Sequence, residues 1–287
     1  MKKIVFESEY FNIKDTLECG QFFRFKMYKN GYLVCSLDKC CYVYQEGDYS
    51  YIECEDKDEQ YFYNFFDLDR DYKTIFQSAL SENVDILTRS AIAGKGIRIL
   101  NQDHTETLFW FIISQNNNIA RIKGIIEKLC TVLGEKKEFM GETFYAFPSI
   151  QKMAEQNLEF YMSIGLGYRA QYIKRLAEDM LLGFDISAFN KLTTPEIKDL
   201  LMSIYGVGRK VCDCVTLFGY HRSDSFPVDT WIEKVYREDF KGKLTDRVKI
   251  TEWFLSRFGI NSGYYQQYLF HYKRISEKTH LNAQKTC

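Results

Sequence analysis

The hydrophobic pattern changes period once, near residue 58, and this limits the chain to a small antiparallel sheet followed by helices. Phe23-Arg24-Phe25-Lys26-Met27-Tyr28 alternates apolar and polar side chains. Asn30-Gly31 offers the positive φ values of a type I′ turn, and Tyr32-Leu33-Val34-Cys35 reads as the return strand. A second hairpin follows, with Cys41-Tyr42-Val43-Tyr44 and Tyr49-Ser50-Tyr51-Ile52 on either side of Glu46-Gly47-Asp48. Beyond residue 60 little strand signal remains. A helix is expected from Thr105 to Ser114, and another from the cap Asn118 through Ile119, Ile122, Ile126, Leu129 and Leu133 to Gly134. A third should run from Tyr168 to Leu182 before Gly183, and Thr194-Pro195 caps and opens a fourth. The fold class is α+β: an antiparallel β domain with flanking helices (1–95), joined near Ala93-Gly94-Lys95-Gly96 to a mainly α-helical domain (96–287).

Composition narrows the function classes. The chain has 287 residues, enough for about two domains. Its net charge is −1, but residues 1–80 carry −5 and the remainder +4, so a surface for phosphates belongs to the longer C-terminal part. No apolar run approaches the ~18 residues of a membrane span. Acidic residues interrupt the start before a secretion signal would form, so a cytoplasmic protein with no membrane partner is expected. The nine cysteines include no Cys-x-x-Cys, and the four histidines are scattered. Reduced thiols and no catalytic metal are the expectation.

Chemistry concentrates in Leu200-Leu201-Met202-Ser203-Ile204-Tyr205-Gly206-Val207-Gly208-Arg209-Lys210-Val211. A helix running to Gly206, a two-glycine turn and a new helix would let backbone approach another object closely and aim amide N–H groups at a phosphate. Lys210 falls on the first turn of that new helix. There the positive end of the helix dipole favours a neutral, nucleophilic amine. Asp229, in Phe226-Pro227-Val228-Asp229-Thr230-Trp231, precedes another helix. It would assist proton transfer or stabilise positive charge at a sugar carbon. Taken singly, Lys210 also reads as a solvated lysine and Asp229 as a helix N-cap, a role compatible with catalysis.

The turn at about 194–215 resembles a helix-hairpin-helix, with Tyr205 where that motif usually has proline. Hairpin, lysine and Pro-Val-Asp together resemble the helix-hairpin-helix, Gly/Pro-Asp superfamily of DNA glycosylases. Cys19-Gly20-Gln21-Phe22-Phe23-Arg24, Ser114-Gln115-Asn116-Asn117-Asn118-Ile119-Ala120-Arg121-Ile122, Gly165-Leu166-Gly167-Tyr168-Arg169-Ala170 and Gln266-Gln267-Tyr268-Leu269-Phe270 extend the likeness to the 8-oxoguanine DNA glycosylase family. These motifs span nearly the whole chain.

The resemblance implies a monomeric bifunctional glycosylase and abasic-site lyase acting on double-stranded DNA that contains an oxidised purine. Lys210 is implied as the nucleophile and Asp229 as its assistant. Gly20, Cys214, Gln266 and Phe270 are implied to read the extruded lesion base. Asn116 would enter the gap, Tyr168 wedge beside the partner base, and Arg121 and Arg169 address the orphaned cytosine. Gly206, Val207 and Gly208 would form the phosphate-binding hairpin. No organic cofactor is implied; a structural cation at hairpin carbonyls near Ile204 and Val207 is allowed. Eukaryotic members of the family commonly carry histidine two positions after the aspartate, where this chain has Trp231. Read one by one, Phe270 is a core ring, Cys214 a buried thiol, Gln266 and Arg121 solvent-facing, and Asn118 a cap. A glycosylase for another lesion and a non-catalytic DNA-binding module are the rival readings.

Overall fold

The computed structural model describes residues 1–285. The first part comprises β1 (Lys2–Glu7), α1 (Ile13–Glu18), β2 (Phe25–Tyr28), β3 (Gly31–Ser36), β4 (Lys39–Glu46), β5 (Tyr49–Cys54) and α2 (Glu59–Phe65). Then come α3 (Tyr72–Ser81), α4 (Asp85–Ala93), α5 (His104–Ser114), α6 (Ile119–Leu133), β6 (Lys136–Phe139) and β7 (Glu142–Tyr145). The chain continues through α7 (Ile150–Ala154), α8 (Leu158–Ser163), α9 (Ala170–Leu181), α10 (Thr194–Ser203), α11 (Arg209–Phe218), α12 (Thr230–Glu238), α13 (Arg247–Phe258) and α14 (Ser262–Lys285). The α+β class is as expected.

The five-stranded sheet has the order β1-β5-β4-β3-β2, antiparallel throughout. Its first hairpin turns one residue earlier than Asn30-Gly31 suggests. Tyr28 pairs with Gly31, so Lys29 (φ 49) and Asn30 form the loop. Gly31 is a strand residue whose Cβ would come within 2.1 Å of the Val43 carbonyl oxygen. Close strand approach, not turn geometry, requires that glycine. The second expected hairpin turns at Gly47 (φ 58) as anticipated.

One sheet face, with Val34, Cys41, Val43, Ile52 and Cys54, packs on Leu17 of α1 and on Phe62 and Phe65 of α2. The other carries Leu33, Cys40, Tyr42 and Tyr44 and is covered by Phe139 of the β6–β7 hairpin. That hairpin corrects the expectation of little strand after residue 60. Its two four-residue strands are too short for a periodic signal. They rest on the tyrosine face through Phe139 and a hydrogen bond from Tyr28 Oη to the Met140 carbonyl (3.2 Å).

Helices α3 and α4, although they precede residue 95, contribute Tyr72, Ile75, Leu87 and Ala91 to the same core as the later helices. Helix α5 runs through the middle, with Leu108 to Ile113 all buried. A buried ion pair fastens it to the sheet. Arg24 Nη1 lies 2.5 Å from Glu106 Oε1, and Ser36 Oγ donates to Glu106 Oε2 at 2.9 Å. Each buried charge thus has a partner.

The local caps explain the helix boundaries. Asn118 accepts the Arg121 N–H at 3.0 Å, as its sequence position suggests. Thr193, not Thr194, caps α10 through a reciprocal capping box with Glu196. The expected helix from Tyr168 starts at Ala170, because Gly167–Arg169 form a tighter 3-10 turn. Helix α10 ends at Ser203 rather than reaching Gly206. Among the described residues no helix is long and apolar enough to cross a membrane.

Candidate active site

The turn between α10 and α11 is built around Gly206, whose φ of 87 is open to glycine but strained for other residues. A Cβ there would also lie 2.3 Å from Tyr172 Cγ. Val207 turns its side chain inward and donates its N–H to the Ile204 carbonyl (3.0 Å), so that amide is used within the turn. Gly208 caps α11 without a side-chain hydrogen bond. The first-turn amides of α11 therefore face outward with no capping group from the chain. Tyr205 does not prevent the turn. Its exposed ring packs edge-on against Tyr172 (5.2 Å), which packs edge-on against Tyr168 (5.9 Å).

Lys210 lies in the first turn of α11, half-buried. Its Nζ donates to Ser114 Oγ at 3.1 Å and sits 5.0 Å from the Phe111 ring centroid. Cys214, one turn further on, is buried, and that burial pushes its thiol up to about 12. Asp229 caps α12, accepting the N–H groups of Trp231 and Ile232 at 3.0 Å each. Burial raises its carboxyl above the ordinary value, against the pull of the Ile232 amide and the Lys210 ammonium.

From the far end of the chain, α14 brings Gln266 and Phe270; from the segment after α1 comes Gly20, with φ 91. Gly20, Lys210, Cys214, Asp229, Gln266 and Phe270 line one narrow pocket. The Gln266 amide nitrogen donates to the Pro227 carbonyl (3.2 Å), while its buried Oε1 has no partner. Gln267 donates to the Cys19 carbonyl (3.2 Å) and so ties the Gly20 segment to α14. Phe270 is backed by the Arg274 guanidinium, 5.2 Å from its ring centroid.

Lys210 and Asp229 also line an outer cleft together with Asn116, Tyr168, Gly208 and Trp231. Asn116 is exposed with φ 46, a left-handed conformation that asparagine tolerates. Arg169, expected to face an orphaned base, is instead buried under this loop. It donates from Nε to the Gln115 carbonyl (2.8 Å), from Nη1 to Leu166 (3.1 Å), and from Nη2 to Gln115 and to Asn116 (3.0 Å). Four of its five N–H groups are thus spent on backbone. Arg121 is exposed, outside both cavities, and donates to the Gly165 carbonyl at 3.2 Å.

Ser114 has no local sequence signal for its contact with Lys210, since only the packing of α5 on α11 brings the two together. Trp231, noted only as a departure from the family pattern, lines the cleft beside Asp229. Arg274 lies beyond the quoted motifs.

Residues 3–108 match the family model for the 8-oxoguanine DNA glycosylase N-terminal domain, and 109–258 that for the HhH-GPD superfamily of base excision DNA repair proteins. The chain is similar to the protein in a structure of MBOgg1 with a low affinity DNA ligand, at 36% identity over 96% of each chain and a TM-score of 0.91. It is also similar to the Clostridium acetobutylicum 8-oxoguanine glycosylase/lyase in complex with double-stranded DNA containing cytosine opposite 8-oxoguanine. There the identity is 34%, over 94% of this chain and 93% of that one, with a TM-score of 0.89. A probable N-glycosylase/DNA lyase of Methanothermobacter thermautotrophicus is 29% identical over 74% of this chain and 72% of that protein.

Proposed function

The chain belongs to the 8-oxoguanine DNA glycosylase family of helix-hairpin-helix repair proteins, and on that premise we propose how its residues carry the reaction. It excises 8-oxoguanine from duplex DNA opposite cytosine and cleaves the strand through a lysine Schiff base. The single observation that carries the assignment of roles is the convergence of Lys210, Asp229, Gln266, Phe270, Cys214 and Gly20 on one pocket, with Lys210 and Asp229 shared between it and the outer cleft.

A base inside a duplex is out of reach, so the damaged nucleotide is extruded. The uncapped amides at the start of α11 hold a backbone phosphate. Asn116 fills the vacated space and Tyr168 wedges beside the partner base. In the pocket, Phe270 and Cys214 sandwich the base. The free Gln266 Oε1 accepts from its Watson–Crick edge. The Gly20 carbonyl accepts the hydrogen that 8-oxoguanine, unlike guanine, carries on N7. Arg121 addresses the orphaned cytosine with its free donors. Arg169, having one N–H left, chiefly holds the Asn116 loop in place.

The Lys210 amine, in its neutral form, attacks the deoxyribose C1′ and the C1′–N9 bond breaks, its electron pair leaving with the base. The Asp229 carboxylate stabilises positive charge at C1′ and assists proton transfer. Loss of the amine proton and ring opening give an imine. Removal of a C2′ proton then expels the 3′ phosphate by β-elimination. The chemistry uses side chains alone. For the structural cation at the hairpin, the Ile204 carbonyl accepts the Val207 N–H and keeps a second lone pair for such an ion. We also place the protein in the cytoplasm, working on the chromosome as a monomer.

The test is incubation with duplexes carrying 8-oxoguanine opposite each of the four bases, with and without borohydride. Base release greatest opposite cytosine is expected, with a covalent adduct that Lys210→Gln abolishes while duplex binding survives. Undiminished trapping in that variant would remove Lys210 as the nucleophile.

A further inference from the structure

We propose that Cys35 and Cys40 form a dithiol that reacts with peroxides, a modification site on the N-terminal sheet apart from the base pocket. The two residues stand directly opposite each other on β3 and β4, one pair in from the Leu37-Asp38 turn. The Cys35 N–H donates to the carbonyl of Arg24, just ahead of β2 (2.9 Å) and so away from β4, which makes Cys35 and Cys40 a non-hydrogen-bonded pair. In such pairs the Cα atoms lie about 4.5 Å apart, within the range a disulfide spans. The sulfurs already touch, with Cys35 Sγ and Cys40 Sγ 3.1 Å apart.

Access and charge single this pair out. Both cysteines line a surface pocket that also holds Arg24, Lys26 and Lys123, and Cys35 is only partly buried. Cys41 and Cys54 also face each other across β4 and β5, but both are sealed in the inner core at 0% exposure. Burial pushes the Cys19 and Cys214 thiols of the base pocket up to about 11 and about 12, and Cys130 to about 12. Cys35 moves the other way, held down by its hydrogen bond to Cys40 and, against burial, by the nearby Arg24 guanidinium. A thiolate is the reactive form.

The step balances with a hydroperoxide as oxidant. The Cys35 thiolate attacks one peroxide oxygen, the O–O bond breaks and the alcohol or water leaves, giving a sulfenic acid. The Cys40 sulfur then attacks the Cys35 sulfur. The S–O bond breaks and water departs with the Cys40 proton. Two electrons pass from the sulfurs to the peroxide, and an external dithiol reverses the bond. The oxidants that damage guanine are thus consumed at a hairpin, while Cys214 stays a thiol beside Lys210.

The test reads thiols rather than base release, so it stands or falls apart from the catalytic assignment. The full-length protein is treated with one equivalent of hydrogen peroxide, alkylated with N-ethylmaleimide and digested with trypsin. Cleavage after Lys39 puts Cys35 and Cys40 on separate peptides, residues 30–39 and 40–57. We expect these peptides joined by a bond that dithiothreitol cleaves. The link should be lost in Cys35→Ser and in Cys40→Ser, kept in Cys41→Ser, and accompanied by unmodified Cys214 and unchanged base excision. Full alkylation of both cysteines after peroxide, loss of the link in Cys41→Ser, or oxidation of Cys214 at the same or a lower dose would overturn the proposal.

Discussion

The Lys210 amine donates to the Ser114 hydroxyl at 3.1 Å, and that hydroxyl in turn donates to the Phe111 carbonyl at 2.8 Å. Ser114 is therefore oriented by its own helix before it meets the lysine. It fixes where the nitrogen sits at the mouth of the pocket without taking part in bond making. Ser114→Ala should lower the single-turnover rate of base release about tenfold, the worth of one net hydrogen bond, with KM nearly unchanged. Ser114→Thr, which keeps the hydroxyl, should recover part of that loss. A change confined to KM would exclude the positioning role.

Asp229 holds two roles that substitution separates. Asn keeps the cap on α12, whereas Ala loses it at a cost of about 1 kcal/mol. Both variants should be inactive in base release, but only Asp229→Ala should show a lower midpoint in denaturant unfolding. The raised carboxyl also places the acid limb of the wild-type pH–rate profile above the ordinary aspartate value of 3.8. An acid limb at or below that value would contradict the burial of the group.

His221 gives a separate signature in stability. It donates from Nε2 to the Ile99 carbonyl (3.0 Å) and accepts at Nδ1 from Arg70 (3.3 Å), with Asp67 at 3.4 Å from Nε2. This is a neutral imidazole, and burial holds its pKa below the ordinary 6.5 despite the pull of Asp67. The unfolded chain binds a proton near pH 6.5 that the folded chain resists. This destabilisation is absent above that pH and grows as pH falls through it. His221→Gln should flatten the fall of Tm from neutral pH down to about pH 5. A profile as steep as that of wild type would assign the effect to other groups.

Gly206→Ala tests the hairpin through its backbone. The left-handed conformation alone costs a side chain roughly 1–2 kcal/mol, and the new Cβ meets the Tyr172 ring. The variant should unfold at lower denaturant and bind duplex DNA more weakly, with a shallower salt dependence of affinity as phosphate contacts are lost. Binding equal to wild type would separate DNA contact from this turn.

Much of the fold was legible because its signals are local. Alternation marked β2 to β5, and Asn118 announced its helix. What was hidden depends on distant contacts. Phe139 has meaning only against the tyrosine face of the sheet, and Gly31 reads as a turn residue until the Val43 carbonyl is seen pressing on its Cα. In the site, Lys210 and Asp229 were visible through the motifs around them. The partnership of Lys210 with Ser114 spans 96 residues, and no periodicity encodes it. Arg169 was identified by motif, but its inward turn follows from the carbonyls of the Asn116 loop, which a sequence does not display.

The Cys19 carbonyl and the Gln267 amide that secures it are 248 residues apart in the chain. A polypeptide emerging from the ribosome would own its amine and its glycine turn before α14 arrives to complete the chamber for the base. Until then it would cling to DNA without discriminating among bases. The wall that carries Gln266 and Phe270 follows Lys210 in the chain, so selectivity for the lesion waits on α14.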